Sequence, residues 1–389
     1  MKLDGVKVLD LSAFLPGPHM TMTMADHGAD VVMVEPANGT GEPTRQIGYR
    51  TADGVSVWFR NIARGKRSLK IDLKNEQGHA LFLALARAAD VVVESFRPGV
   101  VRRLGVDYDT LRRENPRLIY CSISAFGQYG PYRDRPAHDL AVQGLAGTAA
   151  LGLGLEDGKP SAPNMPAADM AASLTALSAI LMALYRREKT RQGEYIDISM
   201  YDALLAWTPN VTGPVFAQNR APEPKTMRSF GGAAMNRIYE TADGEFIILG
   251  GSEVKFAANL LNALGRPDLL DLAKEEPGPV QNPLIDFLRE TFRSKPRAHW
   301  EAFLEPLDVC WAPVRDLKAA FDDPHTIERG MRLTDEQGNA HIGAPVKFRH
   351  EPASPDLTLA RYGQHSEELA RKAGFPADRL QALKDRGGI

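Results

Sequence analysis

The sequence predicts an α/β protein built on a doubly wound parallel sheet, with a second, smaller domain. Over the first two hundred residues, short apolar runs typical of buried strands alternate with helical segments. The 389-residue chain is also too long for a single compact core. We therefore expect right-handed crossovers and a ligand site at the carboxyl ends of the strands.

Short runs rich in apolar residues predict the strands of this sheet. Asp90–Glu94, three valines between two acids, has the pattern of a central parallel strand. Ser68–Leu73 alternates apolar and polar residues, which predicts a half-buried strand. The remaining strands are predicted at Val6–Leu11, Asp30–Val34, Leu118–Ile123 and Tyr195–Ile198.

The helices between these strands are predicted from helical spacing and alanine content. The longest is Met170–Arg187, and we expect its apolar stretch to be too short and too polar to span a bilayer. Other helices are predicted at Pro18–His27, Glu76–Ala89 and Tyr201–Trp207.

The pattern changes after Trp207. Prolines, glycines and weak periodicity predict a linker at 206–224. A hairpin signal at Ala242–Gly244 and three helical segments then follow, which assigns 225–329 to the small domain. The large domain comprises 1–205 together with 330–389 and is therefore discontinuous.

The composition indicates an ordinary globular protein. A net charge of −2 argues against nucleic acid or an anionic membrane as the main partner. Cys121 and Cys310 are far apart in apolar surroundings, as buried thiols in a reducing cytoplasm are. No histidine or cysteine pair has metal-ligand spacing. We expect a cytoplasmic protein with no metal, no nucleic acid and no membrane partner.

Asp169 is the most distinctive single residue. It stands among small and apolar residues at the start of the longest predicted helix. The helix dipole favours its ionised form there, and low polarity makes a carboxylate more reactive as a nucleophile or base. The alternative role is a helix N-cap, which is the commoner one on pattern alone.

A second candidate segment follows the central strand. Phe96 could stack on a base, and Arg97 and Arg103 could pair with phosphates. The alternative is a surface turn with solvated arginines. The same two interpretations apply to the basic segment Asn61–Arg67.

Weaker signals come from a histidine and from glycine pairs. His138 could act in catalysis with Asp139 fixing its tautomer, although an ordinary exposed histidine is the commoner interpretation. Gly231 and Gly232 could bring mobile backbone to a substrate, but turns alone explain them more simply. Dinucleotide-binding, Walker and serine-hydrolase motifs are missing from the sequence.

Together these segments resemble the class III CoA-transferases, the superfamily that includes formyl-CoA transferase, carnitine CoA-transferase and α-methylacyl-CoA racemase. The resemblance runs nearly from end to end, with its blocks in the right order. The main blocks are Val8–Leu11, Pro16–Pro18, Gly28–Val32, Asn61–Lys74, Val93–Gly99, Phe126–Tyr132, Pro136–Gly147, Arg187–Asp202, Ala242–Gly244 and Cys310–Val314.

The resemblance implies a Rossmann-like large domain, a smaller α+β domain and an interlocked homodimer. It also implies acyl-CoA and carboxylic acid substrates, with coenzyme A present as a thioester substrate and not as a permanently bound cofactor. In such transferases the residue matching Asp169 attacks the thioester, forms a mixed anhydride and then an aspartyl-CoA thioester. The positions that match CoA-binding residues of the family are Phe14, Ile71, Ser95, Phe96, Arg97 and Arg103. The supporting positions are Asp139, Gln143, Gly231, Gly232 and Glu253.

The racemases of the same superfamily offer a different reaction. They resemble the chain at His138, Asp169 and Glu253, and they use the His and the Asp as two bases on opposite faces of the α-carbon. Many transferases have Tyr at the position of His138, which favours a racemase, whereas Gln143 favours a transferase. Transfer is our first prediction and racemisation the alternative.

Overall fold

The computed structural model describes residues 1–152, 159, 161–385 and 388–389. The chain forms two compact units, which are described separately below. The first unit comprises Met1–Ala146, Asn164–Trp207 and Pro324–Ile389, and the second comprises Gly147–Pro163 and Thr208–Asp323.

A six-stranded parallel sheet forms the centre of the first unit and confirms the predicted α/β class. Its strand order is β3-β2-β1-β4-β5-β6, which is the order of the Rossmann fold. The chain thus extends the sheet in one direction after β1 and in the other after β4, so β1 and β4 flank the topological switch point. The strands are β1 (Lys7–Leu11), β2 (Asp30–Pro36), β3 (Arg67–Ile71), β4 (Val91–Glu94), β5 (Ile119–Ser124) and β6 (Glu194–Ser199).

Side chains of the sheet alternate between two cores because successive strand residues point to opposite faces. In β4, Val91 and Val93 face the core that contains α1 and α7, whereas Val92 faces the core that contains α3. All three valines are fully buried, as the apolar run predicts. The helices around the sheet are α1 (Pro16–Asp26), α2 (Val57–Ala63), α3 (Glu76–Arg87), α4 (Val100–Arg103), α5 (Tyr108–Glu114), α6 (Asp139–Leu145), α7 (Ala167–Thr190) and α8 (Met200–Leu205).

Helix α7 is longer than predicted, with 24 residues. Small side chains, among them Ala168, Ala172 and Ala176, are fully buried and let α7 pack closely on α1, β5 and β6. By length and composition alone, α7 is long and apolar enough to span a membrane. No other helix in the described ranges meets this criterion. The expectation that it is too short and too polar was therefore wrong, although core helices of soluble proteins meet the same criterion.

The second unit has an antiparallel sheet of order β7-β8-β9. Ile247 and Leu249 of β8 pack in a core with residues of the helices, such as Leu260, Leu284 and Leu288. Cys310 of this unit is exposed, in contrast to the prediction, whereas Cys121 is buried as predicted. The elements are α9 (Gly213–Gln218), β7 (Asn236–Glu240), β8 (Phe246–Gly250), α10 (Val254–Ala263), α11 (Leu270–Lys274), α12 (Asn282–Arg293), α13 (Arg297–Leu304), β9 (Trp311–Pro313) and α14 (Leu317–Asp322).

The last segment of the chain belongs to the first unit. Asp335, which is buried, forms an ion pair with Arg60 of α2 at 2.7 Å. His365 accepts a hydrogen bond from the backbone N–H of Ser68 in β3 at 3.1 Å. The elements are α15 (Pro324–Glu328), β10 (Arg332–Thr334), β11 (Ala340–Ile342), α16 (Ser366–Lys372) and α17 (Ala377–Asp385).

Candidate active site

Two neighbouring cavities lie at the carboxyl ends of the strands in the first unit, as expected for a doubly wound sheet. The first cavity, of about 380 Å³, is lined by the loops after β1, β4 and β5 and by the start of α7. The second cavity, of about 340 Å³, is lined by the carboxyl ends of β1, β2 and β3. Ala13 and Phe96 line both cavities, so the two cavities are adjacent.

Asp169 lies on the wall of the first cavity, at the third residue of α7. The N-cap position is Pro166, so Asp169 is not the helix cap. Burial, and secondarily the carboxylate of Asp139, raises the pKa of Asp169 from 3.8 to about 7. The helix dipole was predicted to favour the ionised form of this carboxylate, but burial and Asp139 outweigh that effect.

Asp139 provides the cap that α7 lacks in its own sequence. Its Oδ1 accepts hydrogen bonds from the backbone N–H groups of Ala168 at 2.8 Å and Asp169 at 3.2 Å. Its Oδ2 accepts a hydrogen bond of 2.6 Å from the amide of Gln143, which also donates to the Met165 carbonyl at 3.0 Å. The prediction that Asp139 orients His138 was wrong, since both carboxylate oxygens are directed to the start of α7 and to Gln143.

His138 lines the same cavity as Asp169. It occupies the N-cap position of α6, and its exposed ring contacts Phe14 edge to face with 5.5 Å between ring centroids. Phe14 itself has a left-handed backbone conformation, with φ of 67°. Its backbone N–H donates to Glu42 Oε1 at 2.9 Å, which helps to stabilise this strained loop at the cavity.

The loop after β4 contributes lining residues to both cavities. Ser95 Oγ accepts a hydrogen bond of 3.0 Å from the backbone N–H of Ala13 and so connects the loops after β1 and β4. Phe96 lines both cavities and Arg97 lines the first. Ile71, at the end of β3, lines the second.

Arg103 lies next to these cavities but is not part of either lining. Its Nη1, and Nη2 of Arg133, lie 3.7 and 3.9 Å from where a Cβ at Gly99 would be. Because Arg133 and Arg135 line the first cavity, positive charge surrounds its entrance from the loops after β4 and β5. Such a cluster favours phosphates or carboxylates.

The basic segment Asn61–Arg67 is neither a phosphate site nor a solvated surface, in contrast to both predicted alternatives. The fully buried Lys66 pairs with Asp10 at 3.1 Å, and Arg64 pairs with the buried Asp26 at 2.6 Å. These cations connect the strand β3 region to β1 and α1. The acidic partners, Asp10 and Asp26, are distant from these cations in the sequence, so the residue spacing within the basic segment could not predict the ion pairs.

Three predicted site residues belong to the second unit. Gly231 has a φ of 84° and ends a short 3₁₀ turn. At Gly232 an added Cβ would lie 2.8 Å from the Met227 carbonyl oxygen, so no larger side chain fits without movement. Glu253 is exposed at the N-cap position of α10.

The sequence argument missed Ser124, which lines the first cavity together with Met200. The Ser124 hydroxyl is buried without a hydrogen-bond partner. Both residues follow from the position of β5 and β6 in the sheet, where the carboxyl ends of adjacent strands meet. Among the described residues, no group of three His, Cys, Asp or Glu side chains has the arrangement of a metal site.

The first cavity thus brings together a carboxylate, an imidazole and several guanidinium groups. A carboxylate whose pKa is raised to about 7 is a stronger base and nucleophile than a solvated aspartate. The site is therefore suited to covalent or proton-transfer chemistry on an anionic ligand.

Comparisons with known proteins agree with this arrangement. The family model described as CoA-transferase family III matches residues 3–366. Acetyl-CoA:oxalate CoA-transferase of Acetobacter aceti is 35% identical, over 91% of this chain and 92% of that protein. Alpha-methylacyl-CoA racemase of Homo sapiens is 31% identical, over 98% and 96%. The crystal structure of a CAIB/BAIF family protein from Brucella suis has a TM-score of 0.82 and 30% identity, covering 95% of this chain and 99% of that one. The chain is therefore an enzyme of CoA-transferase family III.

Proposed function

We propose that this enzyme transfers CoA from an acyl-CoA to a carboxylic acid, with Asp169 as the nucleophile. The observation that supports this most directly is the location of Asp169 in the same cavity as the Ser95–Arg97 loop, at the switch point of the sheet. The relative named as an acetyl-CoA:oxalate CoA-transferase, at 35% identity, supports a reaction between a thioester and a carboxylate.

The proposed reaction starts when a carboxylate oxygen of Asp169 attacks the thioester carbonyl carbon. The carbon–sulfur bond breaks, the CoA thiolate leaves, and a mixed anhydride forms. The thiolate then attacks the aspartyl carbonyl carbon, which releases the donor as a carboxylate and leaves an aspartyl-CoA thioester. The acceptor carboxylate displaces the thiolate to form a second anhydride. Attack of the thiolate on the acceptor carbonyl gives the new acyl-CoA and regenerates Asp169.

The residues assigned to this reaction have distinct proposed roles. Asp139 and Gln143 fix the start of α7 and thereby the position of the nucleophile. Gly231 and Gly232, of the second unit, are the proposed flexible segment that excludes water from the anhydride. Because an anhydride hydrolyses in water, such exclusion is needed for transfer to outcompete hydrolysis.

The CoA part of the substrate is proposed to occupy both cavities. Phe14, Ser95 and Arg97 line the first, Ile71 lines the second, and Phe96 lines both. Arg103, beside Gly99 and Arg133, contributes positive charge near them. No permanently bound cofactor is needed for these steps.

A homodimer, interlocked as the resemblance implies, is the proposed assembly. The outward face of α7 exposes Leu174, Leu181, Met182 and Tyr185 at helical spacing. An apolar stripe of this kind on a single chain is suited to burial against a second copy. The free thiols of Cys121 and Cys310 are compatible with a cytoplasmic enzyme.

Racemisation of a 2-methylacyl-CoA is the second candidate function. His138 and Asp169 line the same cavity, which supports a mechanism with two bases. The pKa of Asp169, raised by burial to about 7, also suits a group that accepts and returns a proton near neutral pH. Glu253 is the third position that the racemases share.

One incubation distinguishes the two reactions. The enzyme is mixed in deuterated water with a branched 2-methylacyl-CoA and a set of carboxylic acids, and the products are analysed by mass spectrometry. Transfer gives new acyl-CoA species without deuterium at the α-carbon. Deuterium at the α-carbon without a new thioester would instead establish racemisation and reject our first proposal.

The nucleophile is tested directly on the intact protein. Incubation with an acyl-CoA alone is expected to leave CoA on the chain as a thioester, detected by intact mass and located by peptide mapping at Asp169. Asp169→Asn is expected to form no adduct, whereas Asp134→Asn, which removes an exposed acid of the preceding loop, forms it normally. An adduct that persists in Asp169→Asn would refute this assignment.

A further inference from the structure

A buried carboxylate outside both cavities connects the loops that line them. Glu94, the last residue of β4, is only 2% exposed. Its Oε2 accepts a hydrogen bond of 2.8 Å from the backbone N–H of Phe96. Its Oε1 accepts one from the hydroxyl of Ser122 in β5, and that hydroxyl oxygen accepts another, of 2.8 Å, from the amide of Gln128. One carboxylate thus joins the loops after β4 and β5.

The direction of these hydrogen bonds suits a carboxylate at this position. Because the Gln128 amide donates to Ser122 Oγ, the Ser122 proton is free to point to Glu94. The Phe96 N–H donates to the other carboxylate oxygen. A carboxylate accepts at both oxygens with no proton of its own to place, whereas a glutamine would place its NH₂ group opposite one of the two donors.

Burying the charge of the Glu94 carboxylate costs free energy. This cost indicates that the carboxylate has a role that an apolar side chain could not fill. Burial, and to a lesser extent the nearby Asp197 carboxylate, raises the pKa of Glu94 to about 7. An apolar residue would fill the same space without this cost. What the carboxylate provides in return is a fixed backbone at Phe96.

Phe96 is the residue that both cavities share with Ala13. The adjacent Ser95 holds the backbone of Ala13 with its hydroxyl oxygen at 3.0 Å. The hydrogen bond from Phe96 to Glu94 therefore fixes the part of the loop after β4 that lines both cavities.

We propose that Glu94 is a positioning residue for the CoA thioester: its carboxylate fixes Phe96, which lines both cavities, and so sets the affinity for CoA. This inference rests on the proposed function, because it assumes that CoA extends through both cavities. It assigns Glu94 to binding of the CoA part and not to the chemistry at Asp169.

The test is the affinity for coenzyme A, measured by titration calorimetry, together with KM and kcat for an acyl-CoA. Glu94→Gln is expected to raise the Kd for CoA and the KM about tenfold, as loss of one hydrogen bond to a charged group does, with kcat lowered less than about threefold. Asp335→Asn is the matched control, because Asp335 is a buried, paired carboxylate that lines neither cavity. It is expected to lower stability and to leave the Kd unchanged.

The pH dependence provides a readout that a purely structural role would not affect. The titratable groups facing Glu94 are Tyr120 and Cys121 of β5 and Tyr195 and Asp197 of β6. Burial raises the pKa of Tyr120 and of Cys121 well above the usual range and that of Tyr195 to about 12, so these three stay neutral. The ratio of the Kd of Glu94→Gln to that of the wild type is expected to fall as the pH is lowered from about 8 to about 6, because protonated Glu94 resembles glutamine.

A second variant keeps the test decisive if Glu94→Gln fails to fold. Ser122→Ala removes one donor to the carboxylate and is expected to raise the Kd about threefold. A Kd within about twofold of wild type in the folded variants, or a loss confined to kcat, would overturn this inference without affecting the proposed function. Failure of the wild type to bind CoA would refute the proposed function, and this inference with it.

Discussion

Replacement of Asp139 by asparagine tests the electrostatics of the candidate nucleophile. Asparagine keeps an oxygen that can accept from the N–H groups of Ala168 and Asp169, at the start of α7. It removes the negative charge that helps to raise the pKa of Asp169. The variant therefore keeps the cap of α7 and removes the charge, together with the hydrogen bond from Gln143 to Oδ2.

The expected magnitude follows from the two causes of the raised pKa. Burial is the larger cause and the Asp139 charge the smaller, so the charge accounts for less than half of the rise from 3.8 to about 7. We expect Asp139→Asn to lower the pKa of Asp169 by about 0.5 to 1.5, which is roughly 1 to 2 kcal/mol in favour of the carboxylate. Burial is unchanged, so the pKa of Asp169 remains above its ordinary value.

The assay is a titration of ¹³C-carboxyl-labelled aspartates followed by NMR, with the Asp169 signal identified by its loss in Asp169→Asn. The pH profile of kcat/KM is expected to move to lower pH by the same amount, since it reports groups of the free enzyme. Asp134→Asn removes the same charge from an exposed position and is expected to leave both unchanged. An Asp169 pKa in Asp139→Asn that stays within about 0.3 of wild type, or rises, would refute the reasoning.

Three further predictions concern stability and binding. Asp169→Asn is expected to be more stable than wild type by roughly 2–4 kcal/mol above about pH 7, and no more stable below about pH 4. The reason is that folded Asp169 keeps its proton up to about pH 7, whereas the unfolded chain releases it near 3.8. Wild-type stability therefore falls as the pH rises between these two values. Urea denaturation at several pH values measures this, and a variant no more stable at high pH than at low pH would contradict it. Lys66→Met is expected to cost about 3–5 kcal/mol because it leaves Asp10 buried without its cation. A double-mutant cycle with Asp10→Asn should show strong non-additivity, and additive losses would rule out a coupled pair. Arg97→Ala is expected to raise the KM for an acyl-CoA about tenfold and to weaken its dependence on salt; an unchanged salt dependence would exclude a phosphate contact.

Local pattern predicted the sheet well because its strands are encoded locally. Val91–Val93 is buried on both faces, and a continuous β-branched run is what such a strand needs. The short helix α2 was not predicted, because its seven residues give too little periodicity and its cap, Ser56, is a single side chain. Asp169 was found because an isolated carboxylate in an apolar stretch is visible without any tertiary information.

The partners of charged residues were not predictable in the same way. Arg64 and Asp26 are 38 residues apart, and Lys66 and Asp10 are 56 apart. A basic segment of the sequence shows how many positive charges are present. It does not show how far they lie from acidic side chains on other strands and helices. The Asn61–Arg67 segment therefore appeared as a possible ligand site, although its cations serve the fold.

At the start of α7, the electrostatics of Asp169 differ from what the helix dipole alone predicts. The dipole of α7 would favour an ionised Asp169, but the free N–H groups at its start are used by Asp139, which adds a negative charge beside Asp169 instead. The result is a carboxylate more basic than a capped helix alone would give. Greater basicity serves a nucleophile that attacks a thioester, and it serves a base that removes an α-proton. The property that makes Asp169 reactive is thus common to both candidate reactions, and the choice between them depends on what the cavity wall opposite Asp169 contributes.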